Sequence, residues 1–400
     1  MMRRWQCRLR GSSLSVAFAG GMVVGGLLAL APLRTRAALG AQAATSASVA
    51  AAPLAPIADA EFARLVTALS EPGGYFDTDN LISNERSYLH ALGALERLGT
   101  RGGAFIGVGP DQGFSYIART RAELAFMVDV RRDNLRQHLL FKAFFAAARN
   151  RTEYLALWLG RAVPADVTRW ADRDLDAIVR HLDTAAATPA TRDAARAAVR
   201  TALRSVRVPL DADDLAVIDR VHDAFMTAGL TLRFTTFGRP PRPYYPTLRD
   251  LLLETDRDGR RASYMATEAD FQYVKELQRR NRIVPVVGDL AGAHALRAIG
   301  REMAARKLSL GVLYASNAED YVLRDGKFAS YAQNVLALPR SGRSAIVRSW
   351  FGGPGTHPQS VPGYFSTQLV QTLDAFADVA RSAPWSYGAL VSSPHVEPPR

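Results

Sequence analysis

One cysteine occurs among the 400 residues, Cys7, and it lies ahead of the first apolar run. A lipid-carrying cysteine would follow such a run, so Cys7 is not placed for lipidation. Once a leader containing Cys7 is removed, no thiol is left. That excludes disulfides, a cysteine nucleophile, thiolate zinc sites and iron–sulfur clusters. The seven histidines show neither His-x-x-x-His nor His-Glu-x-x-His spacing, which argues against a zinc hydrolase and leaves no metal site to name. There is no Gly-x-Ser-x-Gly elbow and no Gly-x-x-x-x-Gly-Lys-Ser/Thr loop, so neither an α/β-hydrolase nucleophile nor a P-loop is present. No internal repeat is found.

Acids are missing from the first 36 residues, which hold six arginines and so half of the net charge of +12. Beyond them most basic residues alternate with Asp and Glu, and no nucleic-acid partner is expected. A basic stretch, Arg3 to Arg10, precedes the mostly apolar Leu14 to Leu33, and Ala-rich sequence follows. Residues 1–44 therefore read as a signal peptide or an N-terminal membrane anchor. The expectation is an exported protein, periplasmic or associated with the membrane through this segment. Residues 45–58, rich in Ala, Ser and Pro, read as a flexible spacer.

What remains has an ordinary globular composition, 48% apolar and 22% charged. Ala104–Val108 is a short apolar run followed by a glycine turn, Gly109-Pro-Asp-Gln-Gly113, and helical sequence from Phe114 to Thr120. A second run, Leu124–Val128, ends at Asp129, and a helix starts after Arg131. Strand, glycine turn, helix, strand with a terminal acid make a βαβ unit. Residues 151–246 read as a helical insertion closed by the proline-rich loop Gly238 to Pro246, and the insertion is expected to cap the crevice. Strands then resume at Ile283–Val287 before Gly288-Asp289, at Ser309–Tyr314 before Ser316-Asn317, and at Ser344–Arg348. Helices are expected over Ser83–Leu98, with Ser83 as its N-cap, and over Phe365–Ala380. The fold predicted is α/β, a Rossmann-like, mostly parallel sheet. Residues 59–150 and 247–385 form its two parts, the insertion separates its second and third strands, and 386–400 are a tail.

Parallel sheets bind ligands beyond the carboxyl ends of their strands, where the strand order reverses. Gly107 and Gly109 let backbone approach a ligand. Asp129 ends the second strand, where a carboxylate can accept ribose hydroxyls. Asp289 ends the third and equally suits a helix cap. Tyr75, Phe76, Asp77 and Asp79 precede the first strand as a candidate lid. Asn84 and Glu85 either face the crevice or start a helix. Arg131 reads as part of a solvated ion-pair cluster and His138 as a core histidine. Tyr244 and Tyr245 suit either ligand stacking or packing, and Arg239 and Arg242 read as solvated.

Gly107-Val-Gly109, Val128-Asp129, Gly288-Asp289 and Ser316-Asn317 resemble the successive strand-end motifs of class I S-adenosylmethionine-dependent methyltransferases. The runs Gly73 to Asn84 and Gly107 to Gln112 resemble an uncharacterised bacterial family of methyltransferase-like proteins, over roughly residues 71–348. The resemblance implies S-adenosylmethionine as cofactor, a small nucleoside-type ligand. It implies the glycine turn (Gly107, Gly109, with Gln112) near the methionine part, Asp129 on the ribose and Asp289 near the adenine. Ser316 would lie beside the methyl donor, and Asn317 or Glu319 would hold or deprotonate the acceptor. Pro110 departs from the usual Gly-x-Gly-x-Gly spacing, and the long insertion departs from the usual short connection. An exported ligand-binding or envelope-associated protein that keeps this fold without the reaction stands as the alternative.

Overall fold

The computed structural model describes residues 55–399. The expected leader and most of the spacer lie outside them. Among the described residues, no helix is long and apolar enough to cross a membrane.

Six strands form one sheet: β1 (Ala104–Gly107), β2 (Leu124–Asp129), β3 (Ile283–Val287), β4 (Leu310–Ser316), β5 (Arg340–Trp350) and β6 (Thr367–Thr372). Their order is β3-β2-β1-β4-β5-β6. β1 to β5 run parallel, and β6 is antiparallel to β5. This is the Rossmann-like α/β fold the sequence predicts. β1 and β3 are buried on both faces, which explains their unbroken apolar runs. Pro285 is tolerated in β3 because that strand is at the sheet edge, where a missing N–H breaks no ladder. The order reverses between β1 and β4, so a crevice is expected at their carboxyl ends.

Helix Arg132–Ala147 follows β2 and packs on the sheet through an aromatic cluster that includes Phe141, Phe144 and Phe145. The insertion begins beyond it. Helices Pro189–Leu203 and Ala212–Ala228 start where capping residues and a proline permit. Thr188 and Asp211 each make a capping box, the first with Pro189 at the first helical position. Both helices pack against Arg132–Ala147, so they layer onto one face of the sheet and do not cap the crevice. Only the segment following them, around Phe234 to Tyr245, reaches it.

Two other expectations are corrected. The segment from Ser83 is not one α-helix: Arg86–Ala91 is a 3-10 turn and only Leu92–Leu98 is α-helical. The Ser83 hydroxyl accepts from the Glu85 N–H two residues on, which makes a local turn and competes with helix initiation. The expected helix over Phe365–Ala380 is strand β6 followed by a helix at Leu373–Ala380, with Thr372 as N-cap. The tail carries a short helix, Tyr387–Ser392, and Val396 bridges back to Val370 of β6.

Candidate functional site

A cleft of about 710 Å³ opens at the carboxyl ends of β1 to β4, within the usual range for small-molecule sites. Gly109, Gln112, Asp129, Asp289, Ser316 and Asn317 all line it. The fold thus brings six of the eight sequence-derived candidates to one place.

Gly107 and Glu319 are the two it does not. A Cβ on Gly107 would meet the Phe105 ring at 2.4 Å, so this glycine serves packing under the sheet. Glu319 is fully buried beneath the cleft. Its carboxylate takes the Arg348 Nε at 2.5 Å and the Tyr331 hydroxyl at 2.9 Å. Arg348 is also wholly buried and donates to Gln371 at 2.8 Å, with His395 of the tail 3.1 Å away. Glu319 is committed to balancing that charge and cannot reach an acceptor.

Gly109 forms the turn proper. Its φ is +85°, in the region that favours glycine, and an added Cβ would lie 2.7 Å from Gln112 Nε2. Its carbonyl is fixed from behind by Asn134 Nδ2 at 3.1 Å and His138 Nε2 at 3.0 Å. Burial holds His138 down to about 4, so the imidazole is neutral and Nε2 is the donor. The expected core histidine is therefore also a brace for the glycine turn. Gln112 is buried, and its Oε1 has no partner although it borders the cleft.

Asp129 is more encumbered than its position suggests. Oδ1 accepts from the Arg131 N–H at 2.9 Å and Nε at 3.1 Å, and Oδ2 accepts from Nη2 at 2.8 Å. A carboxylate offers about four acceptor positions, so one on Oδ2 stays open. Arg131 is buried, not solvated, and its Nη1 donates to the Thr78 and Asp79 carbonyls at 2.8 and 2.7 Å. It thereby ties the loop before β1 to the end of β2. Asp289 caps its own turn through Ala291 N at 2.9 Å and takes Lys327 at 3.1 Å, an exposed pair.

The roof comes from two loops. Thr78 donates to the Thr235 carbonyl at 2.5 Å and the Phe237 N–H to the Asp77 carbonyl at 2.7 Å. Arg239 is exposed, as expected, and pairs with Asp77 at 2.5 Å. Phe76 meets Tyr321 edge-on at 4.9 Å, and Tyr75 is exposed at the mouth. Tyr244 stacks on Phe365 at 3.7 Å, with Tyr245 and Phe234 behind it. Asp77 Oδ1 and Thr236 Oγ1 are buried in this lining without partners. Asn84 also lines the cleft, whereas Glu85 is fully buried behind Ser316. The parts unforeseen in the sequence are Phe234, Thr236, Tyr321 and Lys327. They come from segments remote in the chain, and no local pattern marks them. Among the described residues, no group of three or more His, Cys, Asp or Glu side chains could hold a metal.

Residues 81–217 and 235–390 match a family described as Domain of unknown function (DUF7790). The matched segments take in all six strands and the insertion helix Pro189–Leu203. Among curated proteins, none matches the chain.

Proposed function

The chain belongs to the DUF7790 family, and from its cleft we propose a methyltransferase-like protein that binds S-adenosylmethionine or a related nucleoside and transfers a methyl group. One observation carries this reading: a single cleft at the strand-order reversal gathers Gly109, Asp129, Asp289 and Ser316-Asn317 from four successive strand ends.

The residues present suit such a ligand. Gln112 Oε1 is a buried acceptor without a partner, able to take an ammonium or hydroxyl hydrogen. The open position on Asp129 Oδ2 can take one ribose hydroxyl. Asp289 lies at the neighbouring strand end, where an adenine amino group would reach it. When bound, S-adenosylmethionine supplies an electrophilic methyl group, and the protein's part is to align an acceptor beside Ser316 and Asn317. Acceptor deprotonation by Glu319 is not part of the reading, since that carboxylate is buried on Arg348.

The same geometry supports a second reading. Arg131 occupies most of Asp129, and a strand-end acid closed in this way suits a ligand-binding protein that keeps the fold without the reaction.

Calorimetric titration of residues 45–400 with S-adenosylmethionine and S-adenosylhomocysteine tests both. Micromolar binding that weakens in Asp129→Ala supports the nucleoside site, and release of S-adenosylhomocysteine with an added acceptor extract supports transfer. No binding of either nucleoside by the folded protein sinks the proposal.

A further inference from the structure

Glu85 is a fully buried carboxylate behind the cleft residue Ser316, and among the described residues its side chain has no cationic hydrogen-bond partner. Its side chain is 0% exposed. It accepts from the Tyr314 hydroxyl and the Ser316 hydroxyl, and from Gln368 Nε2 at 3.0 Å. All three donors are neutral. A carboxylate held this way has given up its hydration without the offset an ion pair would give. Such an offset exists elsewhere in the fold, between Glu319 in the helix Ala318–Arg324 after β4 and Arg348 of β5.

The link from Glu85 to the cleft is Ser316. Its φ is +53°, left-handed for a residue with a Cβ, and the β4–β5 register shifts between Tyr314 and Ser316. An irregularity there re-aims the last side chain of the strand. The result is a hydroxyl that borders the cleft while its hydrogen is directed at Glu85 Oε1. The Asn317 side-chain amide lies 3.3 Å from Ser316 Oγ. The amide atom facing Oγ is the acceptor Oδ1, so the single hydroxyl hydrogen is shared between a close contact to Glu85 and a longer one to Asn317. Oγ accepts from no group among the described residues, so its lone pairs are left for a donor in the cleft that Ser316 borders.

We propose that Ser316 and Glu85 form a proton-accepting pair, with Ser316 as the group that meets a ligand O–H or N–H and Glu85 as the positioning residue that receives the proton. The ligand's X–H bond breaks with its electron pair left on X. That proton bonds to Oγ as the original Ser316 proton passes to Glu85 Oε1. One proton moves from ligand to Glu85, and the hydroxyl is restored. The ligand class is an alcohol, phenol, amine or amide hydrogen presented at the end of β4. This assignment goes beyond the nucleoside reading and does not require it.

The same pairing makes the Ser316 oxygen a nucleophile, which gives a direct test on the intact protein without any nucleoside. Phenylmethanesulfonyl fluoride is the probe: Oγ displaces fluoride from sulfur and its proton goes to Glu85. Peptide mass spectrometry is expected to find the label on Ser316 and none at that position in Ser316→Ala. Loss of the proton acceptor in Glu85→Gln should slow labelling on the order of a hundredfold, with partial recovery in Glu85→Asp. Tyr314→Phe keeps the ring, removes one donor from the carboxylate, and should speed labelling several-fold. This second variant decides the matter if Glu85→Gln melts early. An unlabelled Ser316, equal rates in Glu85→Gln, or an unchanged or slower rate in Tyr314→Phe overturns the proposal.

Discussion

Arg131 grips Asp129 through both carboxylate oxygens, with Nη2 to Oδ2 at 2.8 Å and Nε to Oδ1 at 3.1 Å. The pair lies two residues apart around the end of β2, and both side chains are about nine-tenths buried. Arg131→Ala would leave the acid buried without its cation and free the Thr78 and Asp79 carbonyls. We predict a loss of about 3 kcal/mol in urea unfolding and faster proteolysis in the loop before β1. Wild-type stability with an unchanged cleavage pattern would show that the clamp is idle.

Glu319→Gln should behave as a stability mutant and nothing more. The amide keeps the shape but strands the buried Arg348 charge, at a cost of about 3–5 kcal/mol. Affinity for S-adenosylhomocysteine, measured on the folded fraction, is expected to stay the same. A selective loss of affinity at full stability would put Glu319 back in the cleft.

Stability should fall on mild acidification. Burial holds His138 and His90 down to about 4, against an ordinary value of 6.5. The unfolded chain takes up these protons as pH drops through 6.5, and the folded chain only near 4, so stability is lost between those limits. Asp111 acts in the opposite sense. Burial lifts it to about 6 from 3.8, and the folded chain gains as pH falls across that window. Burial also holds down His222, His357 and His395 and raises Asp79, so five histidines act against two carboxyls and the loss prevails. His138→Gln, which can still donate to the Gly109 carbonyl, should spare about 2 kcal/mol of the loss between pH 7 and 5. Urea midpoints that fall equally in both proteins would rule this out.

Gly109→Ala tests the turn itself. The methyl must accept φ near +85° and push Gln112 aside. A destabilisation of about 1–2 kcal/mol is expected, with weaker nucleoside binding in the same titration used for Asp129→Ala. No change in either quantity would mean that the turn relaxes freely.

The parallel strands were readable because burial on both faces leaves continuous apolar runs, and the strand-end residues because they directly follow those runs. β6 was not. Thr367-Gln-Leu-Val-Gln-Thr372 carries polar residues that are buried only by long-range partners, among them Glu85 and Arg348, and it runs without a break into a true helix. Glu319 misled for a related reason: its ion-pair partner lies 29 residues on, in strand β5. The fate of Glu85 depends on Tyr314 and Ser316, more than two hundred residues away. A capped helix start was the locally sensible reading of that segment. Arg131 is different, since its partner is two residues away. The spacing was visible, and what was missing was the burial that turns a solvated pair into a clamp.

β1 lies in the middle of the sheet, yet its neighbour β4 enters the chain about two hundred residues later. A ribosome must therefore release most of this polypeptide before the central ladder can close, and closing so long a loop is slow in any case. Nascent chains stopped before Leu310 should carry an exposed β1 edge and rely on chaperones. Resistance to pulse proteolysis should arrive abruptly once β4 and β5 emerge, and a protein that matures so late has little tolerance for early termination.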